Sequence, residues 1–278
     1  MENGIYLVAT PIGNMGDITL RALEVLQKAD LIACEDTRVS KKLCTLLNIA
    51  TKGKTFIAVH DHNESELAQK IIDEAVAGKI VVYMSDAGSP LISDPGYKLA
   101  KAAREQGVYL TTLPGACAAI CALQLSGLPS NSFMFCGFIP NKEKARIDFL
   151  SKNSQVDATL IFYERADRLV KSLTAMQNIF GQREVAVARE ISKLHETCHN
   201  GTATELVAYF EQNPPKGEIV LMVAPSGDSQ DETADYSAEL RLELAHNNLK
   251  TAVKNIVEKY NLNRNEVYKK ALELKNNG

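Results

Sequence analysis

The sequence predicts an α/β chain of two domains followed by a small helical tail. Three observations predict it. Short apolar runs rich in β-branched residues alternate with helix-patterned segments, the signature of a sheet with crossover helices. Three of those runs end in unusual polar loops, at 10–17, 35–38 and 85–94, and the last is longer than the usual ~2–6 residue connection. Past residue 224 the chain turns polar, then basic and helix-patterned again. Its 278 residues suit about two domains at roughly 150 residues each. The expected division is 1–114, 115–224, a linker at 225–236 and a helical tail at 237–278.

The first half reads as follows. Residues 5–9 form a strand that gives way to Thr10-Pro11-Ile12-Gly13-Asn14-Met15-Gly16-Asp17. Asp17 is placed to cap a helix with Ile18, Ala22, Val25, Leu26 and Ala29 on one face. A strand at 31–34 ends in Glu35-Asp36-Thr37-Arg38, with Thr37 placed to cap the next helix. A strand at 55–59 precedes His60-Asp61-His62-Asn63 and an amphipathic helix at 64–77, closed by Gly78. Residues 80–84 are a buried strand running into Ser85-Asp86-Ala87-Gly88-Ser89-Pro90. Asp94 and Pro95 suit the cap and first position of a helix. A strand at 108–113 completes a five-stranded parallel sheet with right-handed crossovers. Leu113-Pro114-Gly115 then marks the domain boundary, before a small-residue helix at 116–125.

The second half alternates again. Strands are expected at 132–137, 158–163, 184–188 and 218–223, with a helix entered around 138–146 and another at 202–211 capped by Thr202. The stretch 224–236 reads as a mobile linker. Helices at 248–260 and 263–274 flank the turn Asn261-Leu262-Asn263, with Val253, Ile256 and Val257 facing Val267, Tyr268 and Leu272. From Ser237 onward eight basic side chains stand against five acidic ones, in a chain with a formal net charge of −3. Nucleic-acid contact therefore has to come from a local patch. This tail is one candidate, as a helix-turn-helix-like element; a helical pair docking on the body or on a second copy is the alternative. Lys142, Lys144 and Arg146 are another candidate patch, or a solvated helix face diluted by Glu143 and Asp148.

The six cysteines, Cys34, Cys44, Cys117, Cys121, Cys136 and Cys198, form no Cys-x-x-Cys pair. They suit reduced thiols in a cytoplasm better than a disulfide framework. No long apolar run suggests a membrane span, which needs ~20 residues. Gly13-x-x-Gly16 lacks the full dinucleotide fingerprint, and Pro11 removes a donor that a phosphate cradle would use. The pairs His60/His62 and Cys198/His199 with His195 are incomplete as metal spacings, so no metal site is expected. Glu35-Asp36 suits helix capping or acid–base work.

Taken together and in order, these stretches carry a resemblance no single one does. Thr10-Pro11-Ile12-Gly13-Asn14, Gly16-Asp17-Ile18-Thr19, Glu35-Asp36-Thr37-Arg38 and Ser85-Asp86-Ala87-Gly88-Ser89-Pro90-Leu91-Ile92-Ser93-Asp94-Pro95-Gly96 resemble the branch of the tetrapyrrole methylase-like methyltransferases that acts on small-subunit ribosomal RNA. So do Gly137-Phe138-Ile139-Pro140, Phe162-Tyr163-Glu164 and Ala188-Arg189-Glu190. The resemblance covers nearly the whole chain. It implies two α/β domains of the tetrapyrrole methylase type with an S-adenosylmethionine cleft between them, a homodimer, and methylation of a cytidine ribose 2′-OH in the decoding region of 16S rRNA. It implies cofactor contacts from Pro11, Gly88, Ser89, Ile92, Cys117, Ala118, Phe162 and Tyr163. The branch usually has Thr at Ser89 and Ser-Pro-His at Arg165-Ala166-Asp167. The Gly-Pro-Gly-Asp loop of tetrapyrrole methylases is here Pro11-Ile12-Gly13-Asn14, which argues against a porphyrin-like substrate.

For a transfer to a hydroxyl, a positioned base adds ~10²–10⁴-fold. The candidates are Glu35, Asp36, Glu164, Glu190 and His195. Arg38, Arg189 and Lys193 are candidates to stabilise the developing alkoxide or to hold phosphates. Lys142, Lys144, Arg146, Lys193, Lys250 and Lys254 are the expected RNA contacts. A small-molecule tetrapyrrole methylase and a non-catalytic RNA-binding protein are the competing readings.

Overall fold

The computed structural model describes residues 1–60, 62–226, 236–260 and 264–276. The chain divides into two compact units, 1–226 and 227–278. The first unit opens with β1 (Gly4–Val8), α1 (Leu20–Lys28), β2 (Leu31–Cys34), α2 (Thr37–Leu46) and β3 (Thr55–Ala58). It continues with α3 (Glu64–Val76), β4 (Ile80–Met84), α4 (Tyr97–Glu105) and β5 (Leu110–Leu113). These strands form one parallel sheet in the order β3-β2-β4-β1-β5. Alternate residues face opposite ways along a strand. Tyr6, Val8, Ile32 and Val82 pack under α1 and α2, while Ile5, Leu31, Val81 and Tyr83 pack under α3 and α4. The neighbours β1 and β4 therefore feed helices on opposite faces, and a crevice opens between their carboxyl ends.

After β5 come α5 (Ala118–Ser126), β6 (Phe133–Phe138), α6 (Glu143–Asn153), β7 (Thr159–Arg165), α7 (Leu169–Phe180), β8 (Glu184–Arg189), β9 (Thr197–Thr202), α8 (Ala203–Gln212) and β10 (Glu218–Val223). The second sheet has the order β6-β7-β10-β8-β9, and only β6 and β7 are parallel. One face packs Phe162, Val187 and Leu221 under α6, α7 and α8; the other packs Ile161, Ala188 and Val220 under α5.

Some expected caps are corrected. Thr19, not Asp17, caps α1, accepting from the Ala22 amide at 3.2 Å, and Asp36, not Thr37, caps α2. Helix α4 starts at Tyr97, beyond Asp94 and Pro95. Its free amides are met from another helix: the buried carboxylate of Glu64 accepts from the amides of Gly96, Lys98 and Leu99 at 3.1, 2.6 and 3.2 Å. Thr202 caps α8 as expected, in a reciprocal box with Glu205. Two elements carry no expectation from the sequence, α7 and β9, while α9 (Ser237–His246) falls within the expected helical tail without having been placed as a separate helix.

The second unit comprises α9, α10 (Leu249–Tyr260) and α11 (Arg264–Asn276). Its core is Tyr236, Leu240, Val253, Ile256, Val267 and Ala271. Tyr268 and Leu272, expected inside, are instead partly exposed, and Ala271 and Leu274 take the inward positions. The linker reading of 225–236 falls largely on residues 227–235, and the 261–263 turn on its three residues; both lie outside the described residues.

Candidate functional site

The loop after β4 organises one cleft because it is tied to three neighbours. Thr10 and Gly88 exchange backbone hydrogen bonds at 2.9 and 3.0 Å, and the Thr10 hydroxyl donates to the Ser85 carbonyl. The Ser89 hydroxyl donates to the Ala116 carbonyl at 2.9 Å, joining the loop after β5. The Asp36 amide donates to Asp86 at 3.1 Å, joining the loop after β2. Two glycines are required by this knot. Gly88 sits at φ +83°, and a Cβ on Gly115 would lie 2.7 Å from that of Ala9. Leu91 and Ser93 also hold positive φ, at 70° and 65°. Such backbone costs ~1–3 kcal/mol per residue and persists only where the surroundings over-determine it.

The cleft has a volume of about 850 Å³. From the first sheet it is lined by Ile12, Glu35, Asp86, Ala87, Gly88, Ser89, Ile92, Ser93 and Asp94; Cys117 and Ala118 begin α5. From the second sheet come Phe138, Tyr163, Glu164, Arg165, Ala166 and Asp167, at the ends of β6 and β7. Pro215–Val220 close it, because β10 runs antiparallel to β7 and its start pairs beside Tyr163, Glu164 and Arg165. Ile12, Asp86, Ala87, Ser93, Asp94, Phe138, Arg165, Ala166, Asp167 and the start of β10 join the cleft without being among the site candidates the sequence offers. Asp86 lies inside the loop that the sequence does mark; the start of β10 is brought in only by strand pairing.

Electrostatics sort the ionisable groups. Burial raises the Asp86 carboxyl above the ordinary aspartate range, with the Asp36 amide opposing it. Arg38 holds Asp36 down at about 2 through a fork of hydrogen bonds, its Nη2 2.6 Å away. Burial pushes the Tyr163 hydroxyl up to about 12, so it stays protonated at neutral pH. Its ring is a wall, edge-on to Phe135 and Phe138.

Of the expected cofactor contacts, Gly88, Ser89, Ile92, Cys117, Ala118 and Tyr163 line the cleft, and Pro11 sits in the pinned turn between Thr10 and Ile12. Phe162 is corrected: strand alternation turns its fully buried ring to the opposite face, against Phe149. Of the expected catalytic residues, Glu35 and Glu164 line the cleft. Arg38 lies just outside it, largely exposed.

The Glu164 carboxylate is spent on structure. It accepts from the Arg165 amide at 2.7 Å, pairs with Arg168 at 2.5 Å and takes the Ser172 hydroxyl. Arg189 donates to Thr197 and to the carbonyls of Lys216 and His195. Glu190 and Lys193 pair at 2.8 Å, and Lys193 also reaches Glu218 at 3.0 Å. Their loop crosses to the loop after β1, where Ser192 donates to Asp17. Lys142 and Lys144 are exposed, but Arg146 is buried, so those three do not form one solvated patch. Lys250 and Lys254 sit together on α10 in the second unit. His199 packs against Tyr209 and Phe210, and among the described residues no three His, Cys, Asp or Glu side chains converge. No helix among them is long and apolar enough to cross a membrane.

Comparison with known proteins agrees with this architecture. Residues 4–207 match the Tetrapyrrole (Corrin/Porphyrin) Methylases family. The chain is 48% identical to a ribosomal RNA small subunit methyltransferase I of Erythrobacter litoralis, over 99% of this chain and 96% of the relative. It is 46% identical to the protein of that name from Vibrio cholerae, over 97% and 94%. A uroporphyrin-III-C-methyltransferase structure from Thermus thermophilus superimposes with a TM-score of 0.56 at 21% identity, covering 81% of this chain and 95% of that one. At that identity the structure speaks for the fold, while the full-length relatives speak for the branch. The chain belongs to the tetrapyrrole methylase family and, within it, to the ribosomal RNA small subunit methyltransferases I.

Proposed function

We propose that this protein transfers a methyl group from S-adenosylmethionine to the ribose 2′-OH of a cytidine in 16S rRNA, in the decoding region of the small subunit. The observation that carries the reading is the single cleft into which the loops after β1, β2, β4 and β5 are tied. Its chemistry suits the cofactor. Gly88 leaves the loop backbone open, Ile12, Ile92 and Ala118 offer apolar walls, and Glu35, Asp86 and Asp94 offer carboxylates to a cationic ligand. When bound, the cofactor supplies an electrophilic methyl group on a sulfonium centre.

The protein's part is alignment and proton removal. Holding donor and acceptor in line is worth up to ~7–11 kcal/mol. In this reading Glu35 and Asp86, both in the cleft lining, take the hydroxyl proton as the oxygen attacks. Glu164, Arg189, Glu190 and Lys193 hold the walls. In this reading the exposed Arg38, with Lys216 and Arg165 of the cleft lining, meets the phosphates flanking the target ribose. The divide at 114/115 is supported by α5, which packs on the second sheet. A homodimer acting in the cytoplasm completes the proposal, on the strength of the resemblance.

The test is incubation with methyl-labelled S-adenosylmethionine and, in parallel, small ribosomal subunits, naked 16S rRNA and a tetrapyrrole precursor. Label is expected in RNA, within an alkali-resistant dinucleotide, because a methylated 2′-oxygen cannot assist strand cleavage. Label in the tetrapyrrole alone, or cofactor binding with no transfer, would sink the proposal.

A further inference from the structure

A second cavity, of about 490 Å³, lies between α6 and α7 and shares no lining residue with the cleft. Arg146 lines it and is only 6% exposed. Its Nη1 donates to the Asn141 carbonyl at 3.1 Å, while its Nε is buried without a hydrogen-bond partner. Among the described residues no carboxylate pairs with it. Arginine is charged at any working pH, and buried charges are ordinarily paired. A buried cation with no acidic partner, on a residue that lines a cavity, therefore asks for an anion at its guanidinium.

The rest of the wall has matching chemistry. Lys171 and Asn178 lie at i and i+7 on α7, so one helix face presents a cation and an amide, with Thr174 between them donating its hydroxyl to the Val170 carbonyl. Glu143 is the one acid in the lining, against two cations. Ile147 and Ile179 add an apolar wall, and the volume far exceeds what a bare phosphate fills.

We propose that this cavity takes a phosphodiester of the RNA substrate, the phosphate on Arg146 and Lys171 and the adjoining sugar or base against Ile147 and Ile179. The proposal rests on the RNA reading of the cleft. It assigns the helical layer of α6 and α7 an anchoring site separate from the reacting one.

The test uses the full chain, with Lys171→Ala and Arg146→Gln. Binding to a 16S rRNA transcript is measured over a salt series, alongside S-adenosylmethionine affinity and transfer at saturating RNA. Each variant is expected to bind RNA severalfold more weakly, with the log–log salt slope smaller by about one. The KM for RNA rises while kcat and cofactor affinity stay at wild-type values. Lys171 is exposed, so Lys171→Ala decides the matter if Arg146→Gln fails to fold. Wild-type slopes in the folded variants would overturn the inference. So would saturable binding of inorganic phosphate, seen by ³¹P line broadening and lost in Arg146→Gln, with RNA binding unchanged. Absence of methyl transfer by the wild-type protein would count against the proposed function but would leave the RNA-binding readout intact.

Discussion

Two carboxylates at the cleft are expected to separate in their behaviour. Glu35→Gln removes a base while keeping size, and a fall of roughly 10²-fold or more in single-turnover methyl transfer is expected at saturating S-adenosylmethionine. Asp86 has a raised pKa in the folded chain, so its proton stabilises the native state below the unfolded value of about 4, and that contribution is lost as pH rises through the folded value. Asp86→Asn is therefore expected to unfold at a higher temperature than wild type at pH 7, with the gap closing as pH falls below about 4. Equal melting temperatures across that range would contradict the burial argument. The sequence marked Glu35 and the loop holding Asp86, but not the burial of the Asp86 carboxyl. An aspartate in a polar loop looks solvated until the loops around it close over it.

At the scale of the element, the cleft depends on where α4 begins. Glu64 reaches from α3 to bind three backbone amides there. Glu64→Ala strands buried donors, at ~1–3 kcal/mol for unmet groups, and a lower urea midpoint with weaker cofactor binding is expected. Glu64→Gln keeps an acceptor and loses only the charge term at the helix start, so its loss is smaller. Thr202→Ala, at a cap remote from the cleft, is expected to cost ~1 kcal/mol in urea unfolding without changing cofactor affinity. The contrast shows what was legible. Thr202 and Glu205 are three residues apart, and the box can be read from the chain. Glu64 and Gly96 are 32 apart, and Asp94-Pro95 offered a plausible local cap that the fold does not use. Strand β9 is not legible for a related reason: its pattern is that of a polar edge, and Cys198 and His199 resemble partial metal spacing rather than a strand packed against α8.

For the whole molecule, the two units have separate cores. A chain ending at Ser226 is expected to fold and to bind S-adenosylmethionine as the full chain does. Its affinity for 16S rRNA is expected to fall, with a smaller salt slope, since Lys250, Lys254 and Arg264 are lost with the tail. Calorimetric titration of cofactor and filter binding of RNA read the two quantities separately. Unchanged RNA affinity would remove the tail from the RNA-contact proposal.

By itself the sequence determined the strands of both sheets except β9, the polar loops that follow β1, β2 and β4, and the family, because these are written in local periodicity, turn chemistry and motif order. Only the tertiary structure decided which side chains those loops share. It turned Phe162 into the core and Tyr163 into the cleft, brought Lys216–Val220 beside β7, and consumed Glu164, Arg189 and Glu190 in bonds that hold the walls. The physical reason is range. A cap or an alternating strand is settled over a few residues, whereas a hydrogen bond between Ser89 and Ala116, or the antiparallel pairing of β7 and β10, exists only once distant segments have been packed together.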